Sequence, residues 1–361
     1  MRKRSIWYVI GAAILLGVML VFVFFQASTG ASPSSPPTTP TPTPGSYSST
    51  ANRFFSSASP WNVPIGPNLQ LDPNSSDMVS QLTACCHVPT MFNYGMPIYT
   101  STASDPLYTV QDNGNDSAFE ANQPIHIPDT AAPSPRSDHW LFIYDKTKNL
   151  IFEMWQAHKD GDTWTTNTGD VYSPTGDGVH QIDGSLQSGN GASYFGGVVT
   201  DADIARGFIN HALAFATEYT ASTWRYPMHA SDGQGTDPGD FPMGARLQLN
   251  PSIDCQGLAG ASVGEKMICQ ALETYGGYIR DTGGVTLSMY FEGEDLTDPN
   301  RNPPDGSPGN PGRPRGVFDM VGLHDGKDLS HIPWDKLRVL NSWNSFTALG
   351  PAPLPPCRNS Y

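Results

Sequence analysis

Apolar and polar positions divide the chain into three regimes. From Ile6 to Phe25 the sequence IWYVIGAAILLGVMLVFVFF contains no charged residue, and Arg2, Lys3 and Arg4 stand directly before it. About 20 helical residues rising ~1.5 Å each cross a hydrocarbon core ~30 Å thick. The pattern predicts a transmembrane signal-anchor over 6–25, with residues 1–5 as a cytoplasmic basic tail and the remainder outside the cell membrane. Small residues at Ala27, Ser28, Gly30 and Ala31 leave a cleaved signal, and a secreted chain, as the alternative. The second regime, residues 26–52, is Pro/Thr/Ser-rich (SPSSPPTTPTPTPGSYSST). It has no face to bury and reads as a disordered stalk tending to polyproline II.

The third regime, 53–361, carries the periodicities of a folded domain. HWLFIYD (His139–Asp145) and LIFEMWQA (Leu150–Ala157) are aromatic and β-branched runs separated by KTKN. They predict a hairpin in which Phe142 faces Glu153 and Asp145 faces Leu150. Period-2 alternation places Trp140, Phe142, Tyr144, Ile151, Glu153 and Trp155 on one face. Alternation at Ala245–Asn250 and Thr286–Glu292 predicts two more strands, the first with Arg246 on its polar face. Helices are expected over 75–82, over 201–218 with Thr200 and Asp203 as a capping box, and over 263–275 with Ser262 and Glu265 at its start. Residues 294–316 are expected to form a mobile loop. The sum is a strand-rich α+β domain, with a β-sandwich or jelly-roll-like sheet core and two packed helices.

Charge and cysteines narrow the setting. Arg2, Lys3 and Arg4 are the only charges among the first 30 residues, so the remainder carries 34 acidic against 17 basic side chains. Such a surface repels phosphate backbones, which excludes nucleic acid as a natural partner. Outside the membrane, cysteines read first as disulfides. Cys255 pairs in this reading with Cys269, and Cys85 or Cys86 reaches Cys357, tying down the chain's end. The cluster Cys85-Cys86-His87 is alternatively a soft-metal site.

Candidate chemistry centres on the hairpin. Glu153 between Trp140 and Trp155 resembles a sugar-stacking platform, and apolar neighbours would raise its pKa as a general acid requires. The competing reading is a core sheet. His211 falls on the apolar stripe of the expected 201–218 helix, as a base or as a structural histidine. His229 lies in the loop RYPMHASDG, Arg246 is placed to neutralise a substrate carboxylate, and Asp183 is a possible second carboxylate; His139, His180, Asp281 and Glu292 are lesser candidates. HExxH, GxxxxGK[ST] and CxxC are all missing from the sequence. Asp298-x-Asn300-x-Asn302 opens like a calcium loop, but Pro303 stands where its glycine belongs. No cofactor is assigned; calcium has only this weak support.

In order, SPWNVPI, SDHWLFIYD with LIFEMWQA, INHALAF, RYPMHA, PMGARLQLN, ALETYGGYIRDTGG and WDKLRVL resemble a group of secreted bacterial proteins with no assigned function. These segments span about Ser59 to Phe346. The resemblance implies an envelope or secreted protein, sometimes found beside carbohydrate-related modules, and names no catalytic residue. The leading expectation is a membrane-anchored protein acting on extracellular or cell-wall polysaccharide, as hydrolase or lyase. The alternatives are a non-enzymatic glycan- or protein-binding surface module and a structural envelope domain.

Overall fold

Two apolar faces of one hairpin organise the domain. The computed structural model describes residues 53–67, 70–92, 94–114, 117–179, 190–293 and 316–343. The expected basic tail, anchor and stalk, most of the 294–316 loop with its calcium-like pattern, and His180, Asp183 and Cys357 lie outside the described residues. Among the described residues, no helix is long and apolar enough to cross a membrane.

The fold is a strand-rich α+β, sandwich-like arrangement. Its largest sheet has six strands in the order His87–Thr90, Leu287–Tyr290, Leu213–Thr217, Gly277–Thr282, Arg246–Leu249 and Leu337–Val339. A four-stranded sheet runs Thr168–Tyr172, Leu150–Trp155, Leu141–Asp145, Ile98–Ser101. The hairpin in this second sheet has the register that its KTKN loop predicts, with Phe142 opposite Glu153 and Asp145 opposite Leu150. Asp145 fixes the turn: its Oδ1 accepts from the Thr147 amide at 2.8 Å and from the Thr147 hydroxyl at 2.6 Å.

Both hairpin faces are buried. Trp140, Phe142 and Ile151 join the main core, which continues through Leu213, Phe215, Leu247 and Ile279 of the large sheet. Leu141, Ile143, Phe152 and Met154 form a separate core with Phe119, Ile125 and Trp164. The expected Trp140/Trp155 sugar platform is therefore corrected. Trp140 is buried with its ring 4.5 Å from Tyr194, and Trp155 is half-buried against the same core.

The 201–218 helix is also corrected. A helix spans only Asp201–Arg206, with the expected Thr200/Asp203 capping box, and stops at Gly207 in a left-handed conformation (φ 84°). The apolar spacing through Ile204, Phe208, His211 and Phe215 is coincidental, because Leu213–Thr217 is a strand buried at every position. A strand covered on both faces is continuously apolar, so periodicity cannot separate it from a buried helix.

The helix Val263–Thr274 forms where its capping box places it, with its first residue, Val263, exposed. Its last carbonyls, left without intrahelical partners, are taken by the neighbouring strand. Arg246 Nε and Nη2 donate to the Tyr275 carbonyl at 3.0 and 2.7 Å, and Gln248 Nε2 donates to that of Glu273 at 2.6 Å. Arg246 is thus 1% exposed, not displayed on a polar face.

A disulfide joins Cys255, before this helix, to Cys269 within it. It closes a loop of 14 residues' separation, which in the chain-entropy account stabilises by about 3 kcal/mol. Replacing both cysteines with serine should lower the urea-unfolding free energy by about that amount; an unchanged unfolding midpoint would show the bridge to be energetically idle.

Candidate functional site

A short irregular segment, residues 190–195, gathers the buried Glu153 and Arg280. Three donors converge on the Glu153 carboxylate: the Ser193 hydroxyl, the Phe195 amide at 3.1 Å and the Tyr194 amide at 3.2 Å. The Arg280 Nε donates to the Ala192 carbonyl at 2.9 Å, and Asn190 Nδ2 donates to the Arg280 carbonyl. That carbonyl needs a partner because the ladder between Leu213–Thr217 and Gly277–Thr282 shifts register here. Ile279 pairs with Phe215 and Asp281 with Ala216, leaving Arg280 as an extra residue. Such a bulge re-aims side chains.

Arg280 is fully buried, with its guanidinium carbon 3.7 Å from the Tyr194 ring centre. Its Nη1 and Nη2 have no hydrogen-bond partner among the described residues. Burial alone would discharge it, but Tyr194, Asp281, Tyr172 and Glu153 outweigh that and hold its pKa above the ordinary value. Glu153 experiences the opposite balance. Burial, reinforced by Asp170 directly across the ladder, pushes its carboxyl up to about 7 despite the donors and Arg280. Like charges facing each other across strands repel, which favours the neutral form of Glu153.

At the outer end of the cluster, Asp281 is half-buried. Its Oδ2 accepts from the Tyr194 and Tyr290 hydroxyls, each at 2.9 Å. Burial pushes its carboxyl up to about 6 against the Arg280 charge, and the nearby exposed Asp232 carboxylate adds to the rise. Asp232 Oδ1 in turn accepts from the Thr282 hydroxyl at 2.7 Å. The Thr282 amide donates to Asp281 Oδ1 at 2.9 Å, so one residue bridges the two carboxyls.

His229 sits beside this cluster. Its amide donates to the Asn190 carbonyl at 3.0 Å, and its ring lies so close to Gly191 (φ 78°) that a Cβ there would overlap it. Of the sequence candidates, Glu153 and His229 therefore meet the same 190–195 segment, as does the lesser candidate Asp281. Arg246 does not join them. Its guanidinium is committed to backbone carbonyls of Tyr275, Val63 and Trp343, so it cannot neutralise a substrate.

His211 stands elsewhere, in a loop rather than on a helix. Its Nε2 contacts Asp203 Oδ2 at 3.2 Å and its Nδ1 meets the Ala212 carbonyl at 2.9 Å. Burial opposes its charge, but Asp203 prevails and raises its pKa; the partnership, with Thr200, draws Asp203 down to about 2. With both nitrogens engaged, His211 locks the start of the Asp201–Arg206 helix. It also lines a cavity of about 200 Å³ with Arg53, Thr200 and Glu292. His139 is a turn residue, its Nδ1 3.1 Å from the Ser134 carbonyl.

Arg280, Tyr194, Tyr290, Asp170 and Asp232 carry this cluster and were not selected from the sequence. One signal was available: the adjacent Arg280-Asp281 pair inside the apolar strand YIRDT. Among the described residues, no three His, Cys, Asp or Glu side chains are grouped to hold a metal ion. No protein-family model matches the chain, and no curated protein or solved structure shows significant similarity to it.

Glu153 gives the cluster a pH signature. Its folded pKa of about 7 lies above the ordinary 4.5, so the folded state binds the extra proton between those values. Its contribution is fully present below pH 4.5 and is lost as pH rises towards 7, by about 3 kcal/mol in all. Glu153→Gln, which cannot titrate, should be most damaging at pH 4.5 and progressively less so towards pH 7 in urea unfolding. A stability gap that stays constant across that window would refute the raised pKa.

Proposed function

We propose that the protein is a membrane-tethered extracytoplasmic enzyme that cleaves extracellular or cell-wall polysaccharide, with Asp281 transferring the proton. The observation that carries this reading is the half-buried Asp281 carboxyl, linked through Thr282 to Asp232 at the outer edge of a buried charge cluster and pushed up by burial to about 6. A general acid or base works best when its pKa lies near the operating pH. The Tyr194 and Tyr290 hydroxyls hold Asp281 in place, and the Arg280 charge behind it limits how far its pKa rises.

Hydrolysis would need a second carboxylate ~5–5.5 or ~6.5–9.5 Å from Asp281 across the glycosidic bond. Elimination needs instead a base for the proton alpha to a uronate carboxyl and a proton donor for the leaving oxygen. The excess of acidic residues over the exported part favours neutral or weakly charged glycans over dense polyanions. The apolar segment at 6–25 and the Pro/Thr/Ser stalk support the tethered location.

The test incubates the full-length protein in detergent with a panel of extracellular and cell-wall polysaccharides. Products are read both as new reducing ends and as unsaturated-uronate absorbance. Cleavage of at least one glycan is expected, with Asp281→Asn reducing the rate by about 100-fold or more while the circular dichroism is unchanged. Binding without turnover would replace the enzyme by a surface-binding module, and full activity in Asp281→Asn would move the chemistry elsewhere.

A further inference from the structure

The turn before the first strand of the large sheet presents two adjacent thiols. Cys85 is exposed, Cys86 is half-buried, and their sulfurs lie 2.7 Å apart. That is longer than a covalent S–S bond of ~2.05 Å but well inside the separation that two unbonded sulfurs keep. Cys86 has φ 86°, a left-handed conformation that a non-glycine residue adopts only where its surroundings impose it.

Those surroundings are specific. Asp328 Oδ1 accepts from the Cys86 and His87 amides at 3.2 and 2.8 Å, and the Leu287 amide donates to the Cys86 carbonyl at 3.2 Å. The His87 ring stacks on Trp334 with centroids 4.5 Å apart, and its Nε2 is 2.7 Å from the Leu82 carbonyl. The imidazole is thus fixed by the fold, with its Nδ1 3.4 Å from Asp328 Oδ1. The far end of the same strand is pinned by Asp325, whose Oδ1 accepts from the Met91 and Phe92 amides at 2.7 and 3.1 Å. The two sulfurs are therefore held together by the backbone that starts the sheet.

We propose that Cys85 and Cys86 form a redox-active vicinal disulfide, closed by exchange with the disulfide of an exported thiol–disulfide carrier. The Cys85 thiolate attacks one carrier sulfur and expels the other as a thiolate. Cys86, as thiolate, then attacks Cys85 Sγ in the mixed disulfide and expels the second carrier sulfur. The cysteine pair loses two electrons, and the carrier leaves as a dithiol with both protons. Adjacent Cα atoms are ~3.8 Å apart across a trans peptide, below the 4.4–6.8 Å usual for disulfides. A bond between neighbours is accordingly easier to reduce than an ordinary one, the property of exchangeable rather than structural bridges.

Full-length protein in detergent, incubated with oxidised glutathione and quenched in acid, provides the test. After denaturation and alkylation without reductant, the peptide holding Cys85 and Cys86 should carry no label and be lighter by two hydrogen masses. After reduction it should carry two labels. In a graded series of glutathione redox buffers, this pair should open at a less reducing ratio than Cys255–Cys269. Cys85→Ser should leave Cys86 fully alkylated while Cys255–Cys269 stays closed. Two labels without reduction, a cross-link from either residue to Cys357, or opening at or beyond the point where Cys255–Cys269 opens would each overturn the proposal.

Discussion

The buried carboxyl of Glu153 is the constraint on which the arrangement turns. It projects from the centre of the hairpin strand Leu150–Trp155 and binds the Ser193 hydroxyl with the Tyr194 and Phe195 amides. Those backbone amides belong to an irregular segment with no ladder to satisfy them, and unpaired buried amides are costly. The carboxyl serves where a strand would otherwise be needed. By holding residues 193–195, it also holds the Ala192 carbonyl that receives Arg280 and the Tyr194 hydroxyl that reaches Asp281. One side chain from the four-stranded sheet thereby sets side-chain positions on the six-stranded sheet.

That coupling explains why so many ionisable groups tolerate burial together. Glu153, Asp170 and Arg280 are fully enclosed, and a lone buried charge would be severely penalised. Arg280 offsets part of the negative charge, protonation of Glu153 removes more, and stacking on Tyr194 covers the guanidinium face. Removing any one member leaves the others uncompensated. The cluster is better regarded as a single electrostatic unit than as a set of independent ion pairs.

What the sequence disclosed follows the range of the interactions. The hairpin register is set by its own four-residue loop, the helix start at Ser262 by a residue three positions on, and the Cys255–Cys269 bridge by a short loop; all were legible. The Leu213–Thr217 strand was not, since its burial on both faces depends on layers contributed by distant segments. Arg246 and Gln248 misled for a related reason. They look solvent-facing in an alternating pattern, yet they satisfy carbonyls of a helix that the strand's own sequence does not announce. The face of the Glu153 hairpin was correctly composed, but period-2 alternation gives faces without saying which of them is covered. Asp281 could be suspected from its place beside Arg280, whereas Asp232 and Tyr194 approach it from 49 and 87 positions away.

The bulge at Arg280 connects these points to chemistry. In a regular ladder, adjacent residues alternate between faces and their backbone groups are taken by neighbouring strands. Here the register slip frees the Arg280 carbonyl for Asn190. It also lets a fully buried cation and a half-buried carboxyl stand consecutively at the end of a central strand. Asp281 is close enough to the interior to feel desolvation and near enough to the surface to share Thr282 with Asp232. A carboxyl wholly inside, such as Glu153, can titrate without touching a ligand; one wholly outside would keep an ordinary pKa. The irregular strand end supplies the intermediate position, which is why the proposed proton transfer is assigned to Asp281 rather than to Glu153.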